Sequence, residues 1–343
     1  MKMNMPLTIL ALCLNLAVFT ACNKKEILEP QKPALPVLSD PIPYEALGSG
    51  TIVFERIGPA PGEYSGCYVI DINQRKTRAL DLGNCASYRV SPDGEWIVFS
   101  KYSGLATEWD IYKTDISGNH LQILTTLKGF ERCPSWSPDG TRIFFWLEGE
   151  NPPRLYAQSP VPEASDLQKI RDLTYFSAGN QILLLPSGAV TVAGSGAIAF
   201  VTYEGLYLIK PPNFELELRV PASQGIAYES PVFSANGQEI AYCSVHRDSL
   251  EHYQKIDLMQ VDVAGGEPVL LASFPVSGSK EWADAPKRNS IYLARSPDGS
   301  KFLFNLPEGD FVSHLYIMNA DGTGLTQVTS APGVTDRCAS WGR

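Results

Sequence analysis

A short turn of the Ser-Pro-Asp-Gly type recurs along this chain, each time with an apolar strand pattern on both sides. Intact copies stand at Ser91–Gly94, Ser137–Gly140 and Ser296–Gly299, and Ser234–Gly237 carries the variant Ser-Ala-Asn-Gly. An Asp-Gly or Asn-Gly pair between apolar runs is a strong hairpin signal, because glycine adopts the positive φ that the turn requires. The chain is therefore predicted to be all-β and to consist of repeated hairpins.

Each repeat continues into a second hairpin whose turn also contains glycine. Examples are Asp110–Asn119 and Leu315–Gly324, and a degenerate repeat is visible over Ser195–Ile209. Four antiparallel strands with a period of about 40 to 50 residues are typical of a β-propeller blade. Residues 49–343 are long enough for six blades of this size, so we predict a six-bladed β-propeller.

The two ends of the predicted domain indicate how the ring closes. Cys338–Arg343 repeats the pattern of Cys133–Trp136 but stops before any hairpin, and Ser49–Phe54 resembles the second strand of a repeat. An open sheet edge leaves backbone groups without partners, and pairing the two ends removes it. We therefore predict that the C-terminal strand joins the first blade and closes the ring.

The repeat also resembles a known family. Trp136–Gly140 followed by an apolar triplet, together with a strand such as Asp110–Tyr112, is similar to the PD40 repeat of TolB-like propellers. The resemblance covers nearly all of the chain after its first 48 residues. It implies a periplasmic scaffold that binds other proteins, or a propeller domain attached to a peptidase, because this fold hosts several functions.

The first 48 residues have the composition of an export and anchoring segment. Residues 1–21 contain Lys2, an apolar stretch and then Phe19-Thr20-Ala21 directly before Cys22, which resembles a bacterial lipoprotein signal. Residues 22–48 are rich in proline, as in an extended tether. We expect lipidation at Cys22, and Asn23 suggests the outer membrane, with the propeller in the periplasm or at the cell surface. An ordinary cleaved signal peptide is the alternative.

Charge and motifs exclude several function classes. The 28 basic and 37 acidic residues give a net charge of −9 without a basic stripe, so nucleic acid is not an expected partner. Ala193 breaks the nearest match to the Gly-x-Ser-x-Gly elbow of hydrolases, and phosphate-loop and His-Glu-x-x-His motifs are absent from the sequence. We predict a non-catalytic protein without a cofactor.

Charged and aromatic residues are expected to meet where the chain enters the first strand of each blade. We call this end, opposite the Ser-Pro-Asp-Gly turns, the top face. Arg, Tyr and Trp at a concave mouth are typical of protein or peptide binding sites. The predicted partner-binding residues are Glu131, Arg132, Asp336, Arg337, Glu229, Glu281, Tyr88, Trp109, Tyr228 and Trp282.

Two other interpretations of these residues remain open. The charges could neutralise one another between neighbouring blades and serve only the structure. Alternatively, the same mouth could bind or cleave a glycan, with carboxylates paired across the sugar; Glu131, Asp336, Glu229 and Glu281 are the candidates.

The cysteine and histidine residues are the candidates for disulfides and metal binding. After Cys22 the chain contains Cys67, Cys85, Cys133, Cys243 and Cys338, an odd number, and Cys67 with Cys85 is the first disulfide to test. His246, His252 and His314 are expected near the same face. None of these residues has the spacing of a metal motif, so no metal site is predicted.

Overall fold

The computed structural model describes residues 38–58, 65–104, 109–149, 152–162, 164–177, 180–183, 186, 188–248, 253–276, 291–309 and 312–343. Residues 35–343 form one compact unit. The predicted signal peptide and Cys22 lie outside the described residues. No helix in the described ranges is long and apolar enough to cross a membrane.

Strands are the dominant secondary structure of the described residues, which contain one helix of four residues. The elements are α1 (Tyr44–Leu47), β1 (Thr51–Ile57), β2 (Ser65–Asp71), β3 (Lys76–Leu80), β4 (Cys85–Val90), β5 (Trp96–Tyr102), β6 (Trp109–Asp115), β7 (Gln122–Ile123), β8 (Phe130–Trp136), β9 (Ile143–Glu148), β10 (Arg154–Gln158), β11 (Gln168–Asp172), β12 (Thr174–Ser177), β13 (Asn180–Leu183), β14 (Thr191–Val192), β15 (Ile198–Thr202), β16 (Gly205–Lys210), β17 (Glu215–Pro221), β18 (Ile226–Phe233), β19 (Glu239–Arg247), β20 (Tyr253–Asp262), β21 (Val269–Pro275), β22 (Leu293–Arg295), β23 (Lys301–Gly309), β24 (Val312–Asn319), β25 (Thr326–Gln327) and β26 (Thr335–Gly342).

Antiparallel pairing joins consecutive strands into four-stranded sets, as the repeat predicts. The sets are β4 to β7, β8 to β11, β14 to β17, β18 to β21 and β22 to β25, and a further one is formed by β26, β1, β2 and β3. Single parallel bridges, Trp109 with Phe130 and Ser313 with Thr335, link neighbouring sets. The hairpin of β12 and β13 stands apart from these sets, and the sequence did not predict it. The fold is mainly β, with the four-stranded antiparallel sets that the sequence predicted, and the number of blades stays a prediction.

The pairing of the two ends is present. Strand β26 runs antiparallel to β1, with Thr51 opposite Gly342 and Ile57 opposite Thr335. Gly50 has a φ of 104°, and a Cβ at this position would collide with the Gly342 carbonyl oxygen. The indole Nε1 of Trp341 donates to the Ser49 carbonyl at 3.0 Å. The first and last strands of the domain therefore share one sheet.

The Ser-Pro-Asp-Gly turns are held by their own side chains. The Asp139 carboxylate accepts hydrogen bonds from the Ser137 hydroxyl at 2.5 Å and the Thr141 amide at 3.0 Å. The Ser137 hydroxyl in turn accepts from the Arg142 amide at 2.9 Å. The same bonds recur at Asp298, and Asn236 replaces the carboxylate in the variant turn. The structural interpretation of these turns is supported, because donors within the turn account for the repeated Asp and Asn side chains.

The apolar core lies mainly between neighbouring sets. Trp146 of β9 meets Phe200 of β15 edge to face, with ring centroids 5.4 Å apart. Phe274 and Phe304 make a similar contact between β21 and β23 at 5.3 Å. Strands such as β15 are buried along their whole length, because both faces of a central strand pack against a neighbouring sheet.

The segment before β1 packs on the domain instead of extending as a tether. Leu38 and Leu47 are buried in the cluster that also contains Phe54 and Trp341. Asp40 accepts hydrogen bonds from the backbone amides of Ser330 and Ala331 at 2.5 and 2.8 Å. Residues 38–48 therefore belong to the compact unit and do not extend as a tether, and the rest of the predicted tether, residues 22–37, lies outside the described residues.

A buried ion triad fastens this segment to the paired ends. The Arg56 guanidinium on β1 contacts both carboxylate oxygens of Asp336 on β26, at 2.7 and 2.8 Å, and Asp40 at 2.8 Å. All three side chains are nearly inaccessible to solvent. The two carboxylates raise the pKa of Arg56 above its usual value. A bidentate, desolvated pair of this kind fixes the register of the two strands.

Removing one partner of this triad should destabilise the domain. Asp336→Ala leaves the buried Arg56 without its bidentate carboxylate, so we expect the free energy of unfolding to fall by about 3 to 5 kcal/mol. Urea unfolding followed by circular dichroism measures the change. Glu45→Ala is the matched control, because Glu45 pairs with Arg75 at the exposed surface; it should leave the midpoint unchanged. Equal effects of the two substitutions would contradict a structural role for the triad.

Candidate functional site

The first strands of four sets share a bulge at the same place. Ser87, Cys133, Ser230 and Cys338 have φ angles of 59°, 52°, 47° and 55°, although none is glycine. The pairing register shifts at each of these positions. A bulge adds one residue to a strand and changes the direction of the neighbouring side chains. The residues around these bulges are those from which the sequence predicted a binding site.

Two of the predicted acids lie in the interior. Glu131 has no exposed surface; its carboxylate accepts from the Leu127 amide at 2.7 Å, the Ile111 amide at 3.2 Å and the Thr125 hydroxyl. Asp336 is equally buried in the ion triad. Both acids therefore hold the chain that leads into the first strand. Their burial removes them from any partner-binding surface.

A threonine accompanies each of these acids. Thr125 Oγ1 accepts from the Ile111 amide at 3.2 Å, and Thr329 Oγ1 accepts from the Leu315 amide at 2.9 Å. The shared pattern is visible in the sequence, since Thr125 precedes Glu131 by six residues and Thr329 precedes Asp336 by seven. A threonine six or seven residues before the acid in two repeats was the signal that could have identified these acids as structural.

Glu229 and the two predicted tyrosines are also buried. The Glu229 carboxylate lies 3.4 Å from an Arg247 nitrogen and accepts a hydrogen bond from the Ile291 amide. Tyr88 packs on Phe99 in the apolar core. Tyr228 donates its hydroxyl to the Pro221 carbonyl at 3.1 Å and stacks edge to face on Tyr242. The interpretation that the predicted residues serve the structure fits these three, because their side chains are buried.

Arg337 is mostly buried beside β1. Its Nε donates to Glu55 at 2.8 Å, and only 14% of its side chain is exposed. Cys338 and Tyr292 lie next to this pair. Reversing the charge of Arg337 would therefore disturb the pairing of β1 and β26, so Arg337 is a structural residue here.

Arg132 and Trp109 remain accessible, and they form a cluster with two other aromatic residues. The Arg132 guanidinium lies over the Phe130 ring at 4.8 Å and over the Trp109 ring at 5.9 Å, and 38% of the side chain is exposed. Trp109 also contacts Tyr102, with ring centroids 6.0 Å apart. We call Tyr102, Trp109, Phe130 and Arg132 the Arg132 cluster. Parallel bridging of β6 with β8 brings its members together.

Glu281 and Trp282 complete the predicted set, but they lie outside the described residues. Arg132 and Trp109 are thus the predicted residues that are both described and partly exposed, and Tyr102 and Phe130 join them in the cluster. Its composition of Arg, Trp and Tyr is that of interface hot spots.

A cavity that the sequence did not predict opens at the other end of the first strands. It has a volume of about 590 Å³ and is lined by first-strand residues of several sets and by their Ser-Pro-Asp-Gly turns. Trp136, Ser230, Ala294 and Trp341 are among its lining residues, and Ala235 lies exposed at its mouth. Only the tertiary arrangement assembles these positions, because they are distant in sequence.

The cysteines and histidines form no metal site in the described part of the chain, which has no group of three or more His, Cys, Asp and Glu able to hold a metal ion. Cys67, Cys85, Cys133, Cys243 and Cys338 are all free thiols. The disulfide suggested for Cys67 and Cys85 is therefore not formed; Cys85 instead donates to the Leu82 carbonyl at 3.0 Å. His246 and His314 each face a carboxylate, of Asp257 and Glu308, and His252 is outside the described residues.

Comparison with solved structures places this fold among TolB-like propellers. TolB from Acinetobacter baumannii matches with a TM-score of 0.63 and 21% identity, over 85% of this chain and 66% of that one. A putative TolB from Agrobacterium tumefaciens matches with a TM-score of 0.55 and 13% identity, over 86% of this chain and 100% of that one. A chain of the nidogen/laminin complex matches with a TM-score of 0.58 and 9% identity, over 86% and 99%.

These identities show the fold alone. This chain spans just under two thirds of the Acinetobacter TolB chain. No family model matches the sequence, and no curated protein matches it.

The two buried glutamates should make stability depend on pH. Burial raises the pKa of Glu131 to about 7 and that of Glu229 to about 7. The folded state therefore keeps protons that the unfolded state releases near pH 4.5, and stability should fall as pH rises from about 4.5 to 7. Urea unfolding at pH 5 and pH 7 measures this slope. Glu229→Gln should reduce it and the exposed Glu45→Gln should not; a slope that Glu229→Gln leaves intact would contradict the assignment.

The thiols should be unreactive in the folded protein. Burial raises the pKa of Cys133, and it raises the pKa of Cys338 to about 11, so little thiolate forms at neutral pH. We expect iodoacetamide to label Cys67, Cys85, Cys133, Cys243 and Cys338 only after denaturation, without added reductant. Peptide mapping reads each site. Recovery of a Cys67–Cys85 linked peptide from non-reduced protein would contradict the free-thiol state.

Proposed function

We propose that this chain is a non-catalytic, lipid-anchored protein of the bacterial cell envelope whose six-bladed propeller binds a protein partner through its top face. The anchor would be Cys22, and the domain would lie in the periplasm or at the cell surface. The protein acts as a scaffold that presents fixed side chains to its partner.

The fold supports the coarse part of this proposal. Two of the similar structures are TolB proteins, and another comes from a complex of two proteins, nidogen and laminin. A propeller holds its loops on paired strands, and preorganised side chains lose little conformational entropy when they bind. The fold is therefore well suited to protein binding, although it hosts other functions elsewhere.

The single observation that carries the proposed site is the Arg132 cluster. It contains Arg132 and Trp109, the predicted top-face residues that are described and partly exposed, and it places one guanidinium against aromatic rings. Such a surface combines apolar area with directional donors, as protein interfaces do.

The glycan-cleaving alternative lacks support from three of the four carboxyl groups predicted for it. Acid and base catalysis on a sugar requires two accessible carboxyls about 5 to 10 Å apart. Glu131, Asp336 and Glu229 are buried and occupied by backbone, Arg56 or Arg247 contacts. Glu281, the fourth acid predicted for such a pair, lies outside the described residues. We therefore propose binding without catalysis.

Site-specific photo-crosslinking in cells tests the proposal. A benzophenone amino acid replaces Lys128, which is exposed two residues before Phe130, or Ala235 at the cavity mouth. Ala264, exposed in an outer turn and absent from the cavity lining, is the matched control for Ala235. We expect a discrete protein adduct from position 128 and none from 264, identified by mass spectrometry.

Two other outcomes would contradict the proposal. An adduct from position 235 alone would overturn the top-face site and assign the partner to the cavity. The absence of protein adducts at both test positions, with normal protein levels, would contradict the proposed function. Labelling with radioactive palmitate in the wild type and in Cys22→Ser tests the anchor separately.

A further inference from the structure

We infer that the Arg132 cluster recognises an acidic segment of the partner, with an Asp or Glu carboxylate bound by the Arg132 guanidinium. This inference rests on the proposed protein-binding function and specifies the chemistry of the partner at that site.

The geometry prepares the guanidinium for a carboxylate. Arg132 lies over the rings of Phe130 at 4.8 Å and Trp109 at 5.9 Å. A planar guanidinium held against aromatic rings keeps its edge donors available in a fixed fork, which matches the two oxygens of a carboxylate. The Arg132 side chain is therefore already ordered in the free protein, so binding does not have to immobilise it.

Those donors are not used by the described part of the chain. Among the described residues, Arg132 pairs with the Glu148 carboxylate at 3.8 Å, which is too far for a hydrogen bond. Arg337, the equivalent residue on β26, instead donates to Glu55 at 2.8 Å. At equivalent positions of two sets, the Arg337 guanidinium is therefore hydrogen-bonded within the protein, whereas the Arg132 guanidinium can bind a ligand.

The local charge differs from that of the whole protein. The chain carries a net charge of −9, yet Arg132 is accompanied by the exposed Lys128 on the same approach to β8. Glu131 adjoins Arg132 in sequence, but its carboxylate is bound inside by Thr125, Leu127 and Ile111. Glu148, at 30% exposure, is the opposing charge at the site. An acidic segment would find a cationic patch on an otherwise acidic molecule.

The same contacts favour a carboxylate over a neutral sugar. Sugars bind aromatic residues by stacking on the ring face, and Arg132 already occupies faces of Phe130 and Trp109. The exposed group is therefore the guanidinium edge, and its natural ligand is an anion. Both peptide and glycan anions share this chemistry, and the proposed function selects the peptide.

Peptide selection on the full-length protein tests the inference. A display library of random ten-residue peptides is selected on wild type and on Arg132→Gln, and affinities of the enriched peptides are measured by fluorescence anisotropy. We expect wild type to enrich Asp- and Glu-containing peptides, with affinity falling as salt increases. Arg132→Gln should weaken them by about tenfold or more, because charge-assisted hydrogen bonds are lost. Arg132→Lys should recover only part of the affinity, because lysine lacks the fork.

A second variant separates recognition from folding. Glu148→Gln removes the opposing carboxylate and should strengthen acidic-peptide binding by about 1.5- to 5-fold, which a purely structural role for Arg132 does not predict. Arg75→Gln, at an exposed arginine paired with Glu45, should change nothing. Thermal melting confirms that each variant is folded.

Three results would overturn the inference: enrichment without an acidic bias, an acidic bias that Arg132→Gln leaves unchanged, or competition by polygalacturonate but by no peptide. A photo-adduct at position 128 together with peptides lacking acidic residues would leave the protein-binding function standing and refute the acidic partner. Absence of any protein adduct would refute the function itself.

Discussion

Antiparallel pairing of β26 with β1 is the constraint on which the rest of the domain depends. It places residues that are almost 300 positions apart in one sheet, and the Arg56 triad holds the pair by joining Asp336 to Asp40. Because the backbone hydrogen bonds of a sheet edge must be satisfied or covered, this pairing also removes the open edges that the two strands would otherwise present. The segment from Leu38 packs over the same region, so the chain preceding the strands contributes to the joint.

Burial decides what each acidic side chain does. Glu131, Glu229 and Asp336 belong to the same residue classes as exposed surface acids, yet each lies among backbone donors or arginines and away from water. Desolvation raises the pKa of all three, and hydrogen bonds offset part of that cost. Their hydrogen bonds and ion pairs therefore link the first strand of a set to chain segments outside that strand. Arg132, one residue after Glu131, points to the opposite environment because successive residues of a strand alternate between faces.

The candidate surface follows from that alternation. Strand pairing leaves Arg132 partly exposed beside Trp109 and Phe130, while the corresponding Arg337 donates a hydrogen bond to Glu55. The two equivalent arginines thus differ in whether their donors are used within the protein. The neighbouring strand places Glu55 at 2.8 Å from Arg337 but Glu148 at 3.8 Å from Arg132. The cavity at the opposite end has another origin: it is lined by first-strand residues of several sets and by their turns, in which side chains such as Ser137 and Asp139 hydrogen-bond to each other. The Arg132 cluster differs from it in presenting a partly exposed guanidinium against aromatic rings.

The sequence by itself determined the repeat, the hairpins with their Asp-Gly turns and the pairing of the last strand with the first, because these depend on local turn chemistry and on strand patterns. It also placed Arg132 and Trp109 together at one end of the strands. The hairpin of β12 and β13, the docking of residues 38–48 and the state of Cys67 and Cys85 came only from the tertiary structure, as did the burial of Glu131, Tyr88 and Asp336. Strand periodicity assigns a residue to one of two faces, but whether that face meets water, a neighbouring sheet or an oppositely charged side chain depends on contacts between residues far apart in the chain.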